Sequence, residues 1–245
     1  MMQIAAVLMV LLGALDAAAQ VSTHPRAHEF YFVRGIYTSP VDGDDWGPRW
    51  AIDYPEADQH FLVALRRLSA VDAPASENAM PLWSDRIREF PFIYLAEAGA
   101  MRLSEGERKA LRAYLLGGGF LMVDDFWGTW AWEALEAELG LVLPEHAIRD
   151  VPMDHPVFHA FYDIDEIVQV PNVALAGTGR THEYDGYVPR TRGIFDRDGR
   201  LMVLINWNTD LGDAWEWADD EGYPLHFSNY AYKLGVNIVI YAMSY

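Results

Sequence analysis

The sequence predicts an α/β domain with a mostly parallel sheet. Short, continuous apolar runs of strand length alternate with amphipathic segments of helix length. The 245 residues show no composition break at which a second domain would begin, so residues 20–245 are read as one unit. Apolar residues make up 51% and charged residues 22%, an ordinary globular balance.

The chain opens with an apolar stretch, Ile4 to Leu15, followed by Ala17, Ala18 and Ala19. This pattern of an apolar run and a small-residue cleavage site predicts a signal peptide over residues 1–19, a mature start at Gln20, and a periplasmic or secreted location. No Lys or Arg precedes the apolar stretch, which leaves a retained anchor or a buried helix as the competing expectation.

Glu29 to Ile36 (EFYFVRGI) is aromatic and β-branched and predicts the first strand. A long loop rich in Gly, Pro, Asp and Trp follows to Tyr54. From Ala57, the spacing of Phe61, Leu62, Leu65 and Leu68 predicts an amphipathic helix. Phe92 to Ala96 (FIYLA) is a buried strand. Ser104 with Glu107 forms a capping box for the next helix, which the triplet Gly117 to Gly119 ends.

Phe120 to Val123 (FLMV) is another buried strand, leading through Asp124 and Asp125 to a helix over Trp130 to Leu139. Farther on, Ile167 to Val170 is expected as a strand. Gly193 to Phe195 and Leu201 to Asn206 should form a hairpin around Asp196-Arg197-Asp198-Gly199, and a closing helix is expected from about Ser228 to Ala242. The three runs EFYFVRGI, FIYLA and FLMV, joined by helical crossovers, should be neighbouring parallel strands with helices on both faces.

A formal charge of −18 and a pI near 4.6 disfavour nucleic acid and anionic membrane surfaces as partners. The absence of cysteine excludes disulfides, thiolate metal sites and a cysteine nucleophile. Walker, dinucleotide and Gly-x-Ser-x-Gly motifs are missing, and no cofactor is evident.

Ligands of open α/β sheets bind beyond the carboxyl ends of the strands. The candidates there are Arg34, Tyr37, Glu97, Asp124, Asp125, Asn206, Asn208 and Asp210. Two carboxylates brought together could serve as an acid–base pair or hold a hard divalent cation through oxygen. The competing expectation is that Asp124 caps the following helix and Asp125 is solvated. The segment Asp42 to Asp53 resembles a calcium loop but has Trp46 where an oxygen ligand is needed, so that reading fails. Nine tryptophans are many for this length. Trp46, Trp127 and Trp215 fall in or beside loops, where a ring can stack on a sugar or a peptide or simply anchor the loop.

Several motifs occur in order: FYFVRGIY, WAIDYPEAD, GGGFLMVDDFWG, DHPVFHAFYDIDEI, NWNTDLGDAWEWAD and YKLGVNIVIYAM. In these the chain, from about Glu29 to Tyr245, resembles the domain-of-unknown-function family DUF4159. That family is related to the trehalose-utilisation-protein-like group of the class I glutamine amidotransferase-like superfamily. The resemblance implies a flavodoxin-like three-layer sandwich, with His155-Pro156 and Asp165-Glu166 matching the superfamily's His-Pro and Asp-Glu segments. The superfamily's cysteine turn is occupied here by Asp124, Asp125, Phe126 and Trp127.

The resulting expectation is one cleft holding Asp53, Glu97, Asp125, His155 and Asp213, walled by Trp46, Trp127 and Trp215, with Tyr54, Asn208 and Asp210 also on the ligand side. Three functions fit that cleft. One is an envelope protein that binds a saccharide or peptide-like ligand. Another is a hydrolase using Asp125, Glu97 and His155, and the third an interaction module with a degenerate pocket.

Overall fold

The computed structural model describes residues 28–41 and 47–244. The expected signal segment, the anchor alternative to it, Trp46 and the aspartates of the rejected calcium loop at 42, 44 and 45 lie outside the described residues.

Seven strands form one sheet: β1 (Arg34–Ile36), β2 (Ala79–Pro81), β3 (Phe92–Leu95), β4 (Phe120–Val123), β5 (Ile148–Asp150), β6 (Arg190–Phe195) and β7 (Leu201–Trp207). Their spatial order is β2-β1-β3-β4-β7-β6-β5. The first five in that order are parallel neighbours, and β6 and β5 extend the sheet antiparallel. The order places β1 between β2 and β3, so the loops leaving β1 and β3 diverge and open a crevice at their carboxyl ends.

Strand alternation divides the core between the two faces of the sheet. Phe92, Tyr94, Phe120 and Met122 point to one face. They pack against α1 (Glu56–Leu68), α5 (Leu211–Glu216) and α6 (Leu225–Ser244) through Phe61, Leu62, Trp215 and Leu234. Ile93, Leu95, Leu121 and Val123 point to the other. There they meet α2 (Glu105–Leu116) and α3 (Gly128–Val142) through Leu111, Leu115, Leu135 and Leu139. The remaining helix, α4 (Val173–Ala176), is a single turn. The result is a three-layer, flavodoxin-like α/β sandwich.

Side-chain hydrogen bonds fix several element ends. Ser104 Oγ accepts from Glu107 N while the Glu107 carboxylate accepts from Ser104 N, the capping box at the start of α2. The same carboxylate accepts from Thr38 N and so fastens the loop after β1. Beyond the far end of α2, Arg200 donates to the carbonyls of Leu115, Gly118 and Gly119 and fastens the glycine turn to the β6–β7 hairpin. Arg108 grips Glu138 with two nitrogens and ties α2 to α3. In the β6–β7 hairpin, Asp196 Oδ1 accepts from both Asp198 N and Arg200 N, closing the expected turn.

The structure departs from expectation in three places. Ile167 to Val170 forms no strand. Val170 N donates to the Thr209 hydroxyl, Val170 O accepts from Asp210 N, and the Gln169 amide donates to Gly186 O and Asn208 O, so side chains hold most of the segment instead of a ladder. The regular part of the first strand is only Arg34–Ile36, because upstream Phe30 N is spent on Asp72 O in the loop after α1. The short strands β2 and β5 were not anticipated. β2 ends in a proline, as an edge strand can, and β5 is mostly exposed. No described helix is long and apolar enough to cross a membrane.

Candidate functional site

The acidic residues that follow the strands meet at the carboxyl edge of the sheet. Asp124 N continues the β3–β4 ladder by donating to Leu95 O, and its side chain is fully buried. Asp124 Oδ2 accepts from Leu211 N at 2.8 Å, Gly212 N at 3.2 Å and the Tyr94 hydroxyl at 3.1 Å. It therefore fastens β4 to the first turn of α5, not to the helix that follows it in sequence. The amino end of α3 is served instead by Asn208 Oδ1, which accepts from Gly128 N, and by Asp185, which accepts from Thr129 N. Burial pushes the Asp124 carboxyl up to about 7, against the pull of the Leu211 N–H.

Asp125, the next residue, turns sharply into left-handed backbone at φ 50°. Its carbonyl accepts from Glu97 N at 3.1 Å, and its Oδ1 accepts from the Trp127 indole at 3.3 Å. Glu97 after β3 (φ 50°), Asp53 before α1 (φ 60°) and Asn208 after β7 (φ 62°) are left-handed as well. Backbone this unfavourable persists only where the surroundings over-determine it, and it gathers at functional edges.

Asp210 caps α5 by accepting from Asp213 N at 2.8 Å, and Asp213 in turn accepts from Val173 N at 2.6 Å. These contacts bring oxygen atoms of Asp53, Asp125 and Asp210 within 4.8 Å of one another. A second group, Asp53, Asp213 and Glu216, meets the same limit and shares Asp53. Burial first, and the neighbouring carboxylates after it, drive Asp53, Asp125 and Asp210 well above the usual carboxylate range. Asp213 is also raised by burial.

Beside this cluster lies an open cleft of about 450 Å³. Its walls include Trp127, Trp130 and Tyr184, and its polar rim carries Arg49, Glu97, Glu183 and Asp185. Trp130 and Tyr184 are 68% and 75% exposed, so both rings present a face to solvent at the cleft. Glu97 joins the two regions: it stands 3.7 Å from Arg49 at the cleft, and its charge raises the Asp125 carboxyl.

Other residues expected at the site have structural places. His155 is not in the cleft. Its ring packs on Phe195 and Tyr241, and Phe195 pairs with Leu201 at the start of β7, the opposite edge of the sheet. Trp215 is no cleft wall either. It is fully buried against Phe61, Tyr94 and Phe32, because α5 turns that side of its sequence toward α1 and the sheet.

Arg34 is buried on Asp58, donates to Ile52 O and lies over the Tyr94 ring, which pins the loop ahead of α1. Tyr54 packs its ring near Trp50, and the Tyr37 hydroxyl donates to Ala96 O. Asn208 spends its amide on Gly128 N and Val188 O. Arg49, Trp130, Glu183, Tyr184, Asp185 and Glu216 were not singled out from sequence. Of these only Glu216 gave a signal, lying one helical turn after Asp213 in DAWE.

A family model described as Domain of unknown function (DUF4159) matches residues 37–243. The chain belongs to that family. The DUF4159 match takes in every carboxylate of the cluster and every wall of the cleft, and the buried Arg34 lies ahead of it. A comparison with curated proteins finds no match.

Proposed function

We propose that the protein is a ligand-binding protein of the bacterial envelope, exported by its N-terminal segment, that takes a saccharide or peptide-like ligand in the cleft beside Trp127. The observation that carries this reading is the pairing of aromatic rings, Trp130 and Tyr184 exposed and Trp127 largely buried, with a polar rim. Trp127, Trp130 and Tyr184 offer flat apolar faces, while Arg49, Glu97 and Asp185 offer donors and acceptors. The volume falls in the ~300–1,000 Å³ range of small-molecule sites. Calorimetric titration with a panel of mono- and disaccharides and muropeptides tests it. Saturable binding that Trp130→Ala weakens at least tenfold supports the reading, and no binding by any member of the panel favours an interaction module with a degenerate pocket. Mass spectrometry of exported protein tests the export: a mature terminus at Gln20 is expected, and an intact Met1 in the membrane fraction would count against it.

One observation favours a second reading, a hydrolase that does not use cysteine. Asp125 sits on a sharp strand-to-helix turn with left-handed backbone, the arrangement that nucleophile elbows use to present a side chain above a sheet. A nucleophile at this turn is also what the sequence's resemblance to the glutamine amidotransferase-like superfamily would imply. Asp125 would take the proton of an attacking water as general base, and Glu97 would donate a proton to the leaving oxygen or nitrogen as the glycosidic or amide bond breaks. Turnover of glycoside or amide substrates that Asp125→Asn abolishes would establish this reading over simple binding.

A further inference from the structure

The geometry points to a divalent-cation site in which Asp53, Asp125 and Asp210 supply oxygen ligands to one hard ion of the calcium, magnesium or manganese class. None of the three aspartates lines the cleft, and the site does not depend on the ligand proposed there.

Three observations carry it. The first is distance. Oxygens bound to one such ion at roughly 2.0–2.6 Å lie at most about 5 Å apart. One oxygen from each of the three aspartates meets that limit, within 4.8 Å. The second is the state of the polar atoms around the cluster. Asp53 Oδ2 is shut off from solvent and has no hydrogen-bond partner. Asp124, with 0% of its surface exposed, has an Oδ1 that makes no well-formed hydrogen bond and has the Asn206 side chain as its polar neighbour, and its charge is felt by Asp53, Asp125 and Asp210. Buried carboxylate oxygens without partners are costly, and such groups in folded proteins call for an ion or a water.

The third is how the chain makes room. Gly212 faces Asp53, and a Cβ built there would stand 2.4 Å from Asp53 Oδ2. Ligand chemistry then limits the ion. The donors are all carboxylate oxygens, with no sulfur or imidazole among the three, which suits calcium, magnesium or manganese over zinc or copper. Asp213 and Glu216, which form the second group with Asp53, extend the negative field on the other side.

The test is calorimetric titration of EDTA-stripped protein with Ca²⁺, Mg²⁺ and Mn²⁺, alongside thermal melts, since an ion that binds only the folded chain raises its midpoint. Saturable binding of at least one ion is expected. Asp53→Asn should weaken it at least tenfold while the metal-free midpoint holds or rises. This variant removes charge from a crowded cluster and breaks no side-chain hydrogen bond of Asp53 among the described residues. Asp210→Asn keeps a capping oxygen for α5 and should weaken binding likewise. No saturable binding up to about 10 mM, above the ~10⁻³ M of the weakest oxygen-ligand sites, would overturn the inference. Binding undiminished in both variants would also overturn it. Saccharide titrations run with and without the ion are read separately, so failure of one does not pass for failure of the other.

Discussion

Gly212 and Asp53 are in contact across the crevice: the carboxylate occupies the space that a side chain at position 212 would take. Gly212 N also donates to Asp124 Oδ2, so one glycine touches two of the clustered acids. Gly212→Ala should displace Asp53 and strain the α5 turn. We expect a loss of about 1–3 kcal/mol, as for other overpacked buried sites, with weaker cation binding, measured by urea denaturation and calorimetry. An alanine variant as stable as the parent would mean that the Asp53 side chain can swing away freely.

Arg34 and Asp58 form an ion pair with no solvent exposure on either side chain. Removing one partner strands the other charge. Asp58→Ala should cost about 3–5 kcal/mol, whereas the double change Arg34→Met with Asp58→Leu should recover most of that. Chemical denaturation of the two variants decides it. A double variant no better than the single would show that the Arg34 bond to Ile52 O matters more than the pair.

How much of this could be read from the sequence depended on how local each cause was. The capping box of Ser104 and Glu107, the Asp196 turn and the helical spacing of Phe61, Leu62 and Leu65 each involve neighbours within a few residues, and the sequence displays them directly. The convergence of Asp53, Asp125 and Asp210 followed from a topological rule, because strand ends and the loops that leave them emerge at one edge, whereas Asp213 was reached through the resemblance. His155 and Trp215 failed for the opposite reason. His155 was placed by resemblance alone, and its packing on Phe195 and Tyr241 depends on elements far along the chain. Trp215 stands in an Asp-rich segment that reads as loop, yet α5 rotates it onto Phe61. The cleft wall from Glu183 to Asp185 lies in a stretch without periodicity, and tertiary bonds from Thr129 to Asp185 bring it to α3.

Asn237, fully buried in α6, shows how an irregular segment is held. Its Oδ1 accepts from Phe161 N and Tyr162 N, and its Nδ2 donates to Tyr162 O. Asn237→Leu would orphan two backbone N–H groups, each worth about 1–3 kcal/mol when left unpaired in the interior. Amide exchange at Phe161 and Tyr162 should accelerate before that of α6 itself. Unchanged exchange there would mean that the segment is held mainly by Ile164 N, which donates to Phe158 O.

The acidic cluster should give the metal-free protein an inverted pH dependence. Burial raises the Asp124 carboxyl to about 7 in the folded chain, while the unfolded chain titrates near ~3.9. Between those values the folded state holds a proton that the unfolded state has released. Stability therefore falls as pH rises, by at most about 1.4 kcal/mol per pH unit for each such group. The contribution is fully present below about pH 4 and is lost as pH passes through about 7. Asp125 and Asp210, raised in the same direction by burial and by their neighbours' charges, reinforce the slope. Most proteins lose stability toward acid because their paired carboxylates must be protonated, so the sign is diagnostic. Urea denaturation in EDTA from pH 4 to pH 8 measures it, and Asp124→Asn should flatten the slope, since the amide keeps an acceptor for Leu211 N and carries no proton to lose. Stability that climbs with pH across this window in the parent would show that the cluster ionises like solvated carboxylates.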